Sequence, residues 1–101
     1  EAVKIPSDNP KLLLKLLAER GHNKILWECG PKLATAALRN GCIQEIITFI
    51  APKILGGVSA MNPFGDLNIE NMDEVYKVDK TKFQVLSGDI FVKNYFKVQE
   101  M

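Results

Sequence analysis

The residues best suited to chemistry lie in one run, Trp27-Glu28-Cys29-Gly30-Pro31-Lys32-Leu33-Ala34-Thr35-Ala36. An apolar strand that passes through glycine into a helix start presents unpaired backbone amides and the positive end of the helix dipole, a geometry that suits phosphate. Gly30 permits close approach of a ligand, while Pro31 removes one amide donor, so fewer backbone groups reach an anion than in a glycine-rich loop. In open α/β sheets the ligand cleft lies beyond the carboxyl ends of the strands, and Glu28 and Gly30 sit at such an end. Strand-to-helix turns also carry Gly and Pro for conformational reasons alone, and Glu28 has a competing reading as a carboxylate paired with a lysine or with backbone amides. Cys29 and Cys42 are thirteen residues apart with only His22 as a further soft ligand, so they read as core or pocket-lining thiols and no metal site is expected. His22 follows a helix-ending glycine, where a solvated imidazole needs no catalytic explanation. Lys53 reads as an exposed cation at a strand end.

The elements that must position this run follow from local signals. Asn9-Pro10 is a helix start: the Asn9 side chain can accept first-turn amides, and Pro10 loses nothing at the next position by lacking an amide hydrogen. Leu12, Leu13, Leu16 and Leu17 then recur at helical spacing, and Gly21 can end the helix left-handed, giving a helix over Pro10 to Arg20. Lys24 to Cys29 is short and apolar without alternation, which predicts a strand covered on both faces. Pro31 to Asn40 holds good helix formers before Gly41, a small-sided helix able to pack close to a sheet. Glu45 to Ala51 is β-branched and aromatic, an expected interior strand limited by Pro52. Strand, helix and strand in that order predict a right-handed βαβ crossover. Lys53 to Asn71, with Gly56-Gly57, Asn62-Pro63 and Gly65, predicts a long surface loop. Glu74 to Val78, Lys82 to Leu86 and Asp89 to Val98 predict antiparallel strands, the last two joined at Ser87-Gly88. Trp27, Phe49, Phe91 and Phe96 are expected as aromatic packing. The expected class is α/β, a mostly parallel sheet with flanking helices and a C-terminal antiparallel hairpin, in a single domain over residues 1–101.

The composition narrows the function. The chain has 101 residues, 47% hydrophobic and 25% charged, the balance of a folded domain and not of a disordered tract. The 13 basic and 12 acidic side chains nearly cancel, and residues 1–50 carry seven basic against five acidic groups, so no basic surface announces a nucleic-acid partner. The apolar runs fall short of a membrane span, and residues 1–6 lack the pattern of a secretory signal. Two cysteines are too few for a disulfide framework and suit a reducing compartment. The first helix has no strand before it, which leaves a sheet edge unaccounted for and predicts a partial domain.

Three motifs in order carry a family resemblance: Leu26-Trp27-Glu28-Cys29-Gly30-Pro31-Lys32-Leu33, then Gly41-Cys42-Ile43-Gln44-Glu45-Ile46-Ile47, then Ile50-Ala51-Pro52-Lys53-Ile54-Leu55-Gly56-Gly57. With Ser87-Gly88-Asp89-Ile90 as a terminal hairpin turn, the chain resembles the pyrimidine reductase of the RibD C-terminal type, the reductase domain of riboflavin-biosynthesis proteins. The resemblance implies a dihydrofolate-reductase-like fold and reduction by NADPH of 5-amino-6-(5-phosphoribosylamino)uracil to its ribitylamino product. By position it implies that Glu28 contacts this phosphorylated pyrimidine substrate, while Gly30, Pro31, Lys32, Leu33, Ala34, Thr35 and Ala36 lie against NADPH. It assigns no catalytic residue, because hydride transfer asks the protein chiefly to hold two carbons in contact. It departs from the family pattern at Cys29, where a smaller residue is usual. The portion of the domain that precedes the first helix, and the deaminase domain that often precedes the reductase, are expected in a longer parent chain. The 101 residues are therefore expected to be the C-terminal half of the domain, inactive alone. The resemblance further implies a homo-oligomer in bacterial cytoplasm or plastid stroma. A non-catalytic nucleotide-binding or dimerisation module with the same fold is the alternative.

Overall fold

Asn9 stands in extended conformation and its Oδ1 accepts the Lys11 amide at 3.0 Å, so Pro10 becomes the first residue of α1, Pro10–Glu19. A side-chain cap of this kind contributes about 1 kcal/mol to a helix. The far end closes on Gly21 at φ 90°: its amide reaches the Ala18 carbonyl at 3.0 Å and the His22 amide reaches Leu17 at 3.1 Å. The second helix, α2 (Pro31–Arg39), ends the same way, with Gly41 at φ 66°, the Gly41 amide on Leu38 at 3.1 Å and the Cys42 amide on Ala37 at 2.9 Å. Both helices therefore stop where a left-handed residue lets the chain turn back onto its last carbonyls, a conformation costly for residues with a Cβ.

The computed structural model describes residues 2–97. Their contacts form two compact units, one made of residues 2–42 with 61–68, the other of residues 43–60 with 69–97. In the helical unit α1 packs on α2, and the side chains withdrawn from water are Pro10, Thr35, Ala37 and Leu38. Leu13, Leu16 and Leu17 of the predicted apolar stripe are half-buried, and Leu12 lies at the exposed margin.

The second unit is a three-stranded sheet of β1 (Glu45–Ile50), β2 (Lys80–Leu86) and β3 (Asp89–Tyr95), in the order β1-β3-β2. Both pairings are antiparallel, with Thr48 opposite Val92 and Phe83 opposite the same Val92. Ser87 at φ 50° and Gly88 at φ 91° make the tight turn between β2 and β3, the backbone twist that two-residue hairpins favour. Because opposed residues share a face, Ile46, Ile50, Phe83, Val85, Ile90 and Val92 form one mostly apolar face, which also carries Thr48, Thr81 and Asn94. The other face mixes Phe49 and Phe91, whose rings meet edge to face at 5.3 Å, with Glu45, Lys82, Lys93 and Tyr95. There Lys93 Nζ lies 4.0 Å from Glu45, and both lysines lie over the Tyr95 ring.

Several expectations need correction. The predicted strand over Lys24 to Cys29 is irregular chain without a ladder, so no βαβ crossover forms among the described residues, and the sheet is antiparallel instead of mostly parallel. Strand propensity describes a side chain's fit to a pleated surface; only a hydrogen-bonded neighbour makes a strand, and β1 takes β3 as that neighbour. For the same reason β1 is an edge strand of this sheet and not an interior one. No strand forms over Glu74 to Val78: a 3₁₀ turn, Met72–Glu74, takes its first residue, where the Glu74 carboxylate turns back to accept the Glu70 amide at 3.1 Å and the Asn71 side-chain amide at 3.3 Å, and Val75 to Val78 has no ladder. Lys53 to Asn71 is irregular, as its turn formers require, and β3 ends at Tyr95, while Val98 lies outside the described residues.

Candidate functional site

The head of α2 is built by Gly30 and Pro31. Gly30 is the N-cap residue at φ −81° and ψ 179°, an ordinary extended conformation, and brings no side chain to the first-turn amides. Pro31 supplies a preset φ at the first helical position, no acidic residue stands in the first turn, and Arg39 complements the dipole in the last. A Cβ on Gly30 would meet no heavy atom within 4 Å. Within this chain, then, neither backbone conformation nor crowding demands glycine at position 30.

The helix divides the predicted run between two grooves. On one side Pro31, Lys32, Thr35 and Ala36 line an open groove of about 440 Å³ together with Arg39, Gly65 and Asp66. On the other, Leu33 joins Glu28 and Cys29 in a smaller, mostly apolar groove of about 270 Å³ whose further walls include Leu13, Leu17 and Trp27. Helical geometry causes this division: positions 31, 32, 35, 36 and 39 follow one stripe, and 33 points away from it. Ala34 is half-buried and lines neither groove. Glu28 is exposed at the mouth of the apolar groove. The Trp27 Nε1 is buried without a hydrogen-bond partner among the described residues.

Arg39, Gly65 and Asp66 are absent from the sequence-based site. Gly65 donates its amide to Thr35 Oγ1 at 2.6 Å, and Arg39 Nη2 donates to the Asp66 carbonyl at 2.7 Å. No local signal links residues so far apart in the chain; in the sequence Gly65 is one more turn former in a long loop.

Cys42 is half-buried, its thiol donates to the Asn40 carbonyl at 3.6 Å, and burial pushes its pKa up against a smaller downward pull from the Lys11 ammonium. At neutral pH it is a thiol that packs and not a nucleophile. Cys29 is exposed, as are His22 and Lys53. Among the described residues no three His, Cys, Asp or Glu side chains gather as a metal site, and no helix is long and apolar enough to cross a membrane.

The family model described as the RibD C-terminal domain matches residues 5–92. The chain is 33% identical over 95 residues to the protein of Arabidopsis thaliana called riboflavin biosynthesis protein PYRR, chloroplastic, covering 94% of this chain and 16% of that one. It is 34% identical over 86 residues to riboflavin biosynthesis protein RibD of Synechocystis, covering 85% and 23%, and 41% identical over 90 residues to the RibD of Aquifex aeolicus, covering 86% and 24%. The chain thus spans less than a quarter of the length of each of these three relatives.

Proposed function

The chain belongs to the RibD C-terminal domain family, and from that premise we propose that it is part of a riboflavin-biosynthesis reductase. Within a longer chain it would serve the NADPH-dependent reduction of 5-amino-6-(5-phosphoribosylamino)uracil to the ribitylamino compound. A dihydrofolate-reductase-like arrangement, a single reductase domain that includes both units, and a linked deaminase domain belong to the same proposal.

The observation that carries the cofactor assignment is the head of α2. Gly30 has open space where a Cβ would stand and needs no special backbone angle, and its lack of a side chain leaves the helix start open to a ligand that approaches from outside these residues. The helix start has no acidic side chain in its first turn, and Lys32 and Arg39 border the adjoining groove against the carboxylate of Asp66, a net positive set that suits the anionic pyrophosphate of a dinucleotide. Of the predicted run Gly30, Pro31, Lys32, Leu33, Ala34, Thr35 and Ala36, the helix cap Gly30 and the groove residues Pro31, Lys32, Thr35 and Ala36 would hold NADPH, which when bound supplies the hydride, whereas Leu33 faces the other groove and Ala34 lines neither. Glu28, exposed two residues before the helix cap, would orient hydroxyl or amide groups of the substrate by accepting their hydrogen bonds. The remaining work is positional: holding the donor and acceptor carbons at contact distance while water is kept away.

Gly30→Ser in the full-length chain tests this. Serine is a better N-cap than glycine, so thermal stability should stay within about 0.5 kcal/mol of the parent or rise. The same side chain occupies the approach to the helix start, so the NADPH dissociation constant, read by cofactor fluorescence, should rise about 10-fold or more. Unchanged affinity places the cofactor elsewhere. A full-length chain that binds NADPH but leaves it unoxidised in the presence of the uracil substrate would favour a non-catalytic module.

A further inference from the structure

In the helical unit two hydrogen bonds tie the return segment Met61–Asn68 to α2. Thr35, only 8% exposed, donates its hydroxyl proton to the Pro31 carbonyl at 2.7 Å and accepts the Gly65 amide at 2.6 Å. One turn along the same stripe, Arg39 Nη2 donates to the Asp66 carbonyl at 2.7 Å. The seating is close: a Cβ on Gly65 would stand 3.2 Å from Thr35 Oγ1 and 3.9 Å from the Pro31 carbonyl oxygen.

A threonine hydroxyl has one proton to give, and here it is committed to the helix's own first turn. Its oxygen is also engaged by a backbone amide thirty residues away in sequence, and the group is buried. The hydroxyl is therefore turned inward, and what it determines is where Gly65 and Asp66 lie. Those two residues line the same groove as Pro31, Lys32, Thr35, Ala36 and Arg39.

We propose that Thr35 is a positioning residue for the cofactor groove: it seats Gly65 and Asp66 against the first turn of α2, and cofactor affinity depends on its hydroxyl although that hydroxyl does not touch the cofactor. The inference rests on the NADPH assignment above. Arg39 holds the second point of the same attachment, and Gly65 is the residue whose missing side chain lets the segment come this close.

The test uses the full-length chain with Thr35→Val, Thr35→Ser, Gly65→Ala and the Val/Ala double variant, and reads the NADPH dissociation constant together with hydrogen exchange at the Gly65 amide. Thr35→Val keeps the shape and removes the acceptor; it should raise the dissociation constant about 10-fold and speed Gly65 exchange at least as much. Thr35→Ser keeps the oxygen and should hold both within about 2-fold of the parent. Gly65→Ala should weaken NADPH severalfold although residue 65 lies outside the proposed cofactor run, and the double variant should be little worse than Thr35→Val alone, because both changes break one attachment. The inference is overturned if Thr35→Val lowers only the melting temperature and folded protein binds NADPH as before. It is also overturned if Thr35→Val weakens binding while Gly65→Ala does not, which is the signature of direct contact. Should Thr35→Val fail to fold, an unchanged NADPH constant in Gly65→Ala is sufficient to reject it. An unsubstituted chain that does not bind NADPH rejects the cofactor assignment itself, and this inference with it, before any variant is compared.

Discussion

Glu28 and Thr35 lie seven positions apart and meet opposite physical conditions. Glu28 is exposed and borders an apolar groove, so its carboxylate is hydrated and available, and removing it leaves no buried charge unpaired. Glu28→Ala should therefore change stability by less than about 0.5 kcal/mol. In the full-length enzyme it should raise the KM for the uracil substrate roughly 10- to 150-fold, the loss expected when a charge-assisted hydrogen bond of roughly 1.5 to 3 kcal/mol is deleted, with NADPH affinity retained. Steady-state kinetics with each reactant varied in turn separates the two, and an unaltered substrate KM removes Glu28 from the site. Thr35 is buried and its hydroxyl is spoken for on both sides, so it acts through its neighbours. A sequence reading that treats Gly30 to Ala36 as one stretch cannot separate such roles, although helical periodicity alone would place Leu33 on a different side from Lys32 and Ala36.

Among the elements, the helices and the hairpin carry their own instructions and the first predicted tail strand, Glu74 to Val78, does not. Asn9-Pro10 starts α1, Gly21 and Gly41 end the two helices, and Ser87-Gly88 turns β2 into β3, each through hydrogen bonds that span only a few residues. Glu74 instead folds its own segment into a turn. The Glu70 amide, and then the Asn71 side chain, hold its carboxyl below the usual carboxylate range. A pKa depressed by folding means that the charged form stabilises the turn above the unfolded value, and that this contribution is lost as pH falls through the depressed folded value. Titrated by NMR, the Glu74 side chain should show a midpoint below that of a free glutamate, and the Glu70 amide shift should follow the same curve. A normal midpoint, or a Glu70 amide indifferent to it, would mean that the carboxylate does not organise the turn.

For the whole molecule, the distribution of burial decides which substitutions matter. Leu38 and Ala37 are buried in the helical unit, whereas Phe83 and Val85 on the apolar face of the sheet are 74% and 68% exposed. Deleting methyl groups costs free energy where they are surrounded, so Leu38→Ala should destabilise the helical unit by about 2 to 4 kcal/mol. Phe83→Ala should cost the sheet less than about 1 kcal/mol in this chain, because little of the ring leaves water on folding. Hydrogen exchange followed separately in each unit measures both, and a Phe83 effect as large as that of Leu38 would show that the sheet face is covered.

The sequence by itself determined what depends on neighbours a few residues away: where the helices begin and end, the hairpin turn, the long loop, and the motif order that marks the family. Those features rest on caps, left-handed glycines and periodicity, whose partners are adjacent in the chain. Only the tertiary structure decided which strand β1 pairs with, that Lys24 to Cys29 has no ladder, and that Thr35 receives the amide of Gly65. Strand pairing and side-chain bridges across thirty residues are choices among many partners of similar local propensity, and the choice is made by which of them the folded backbone brings within hydrogen-bonding distance.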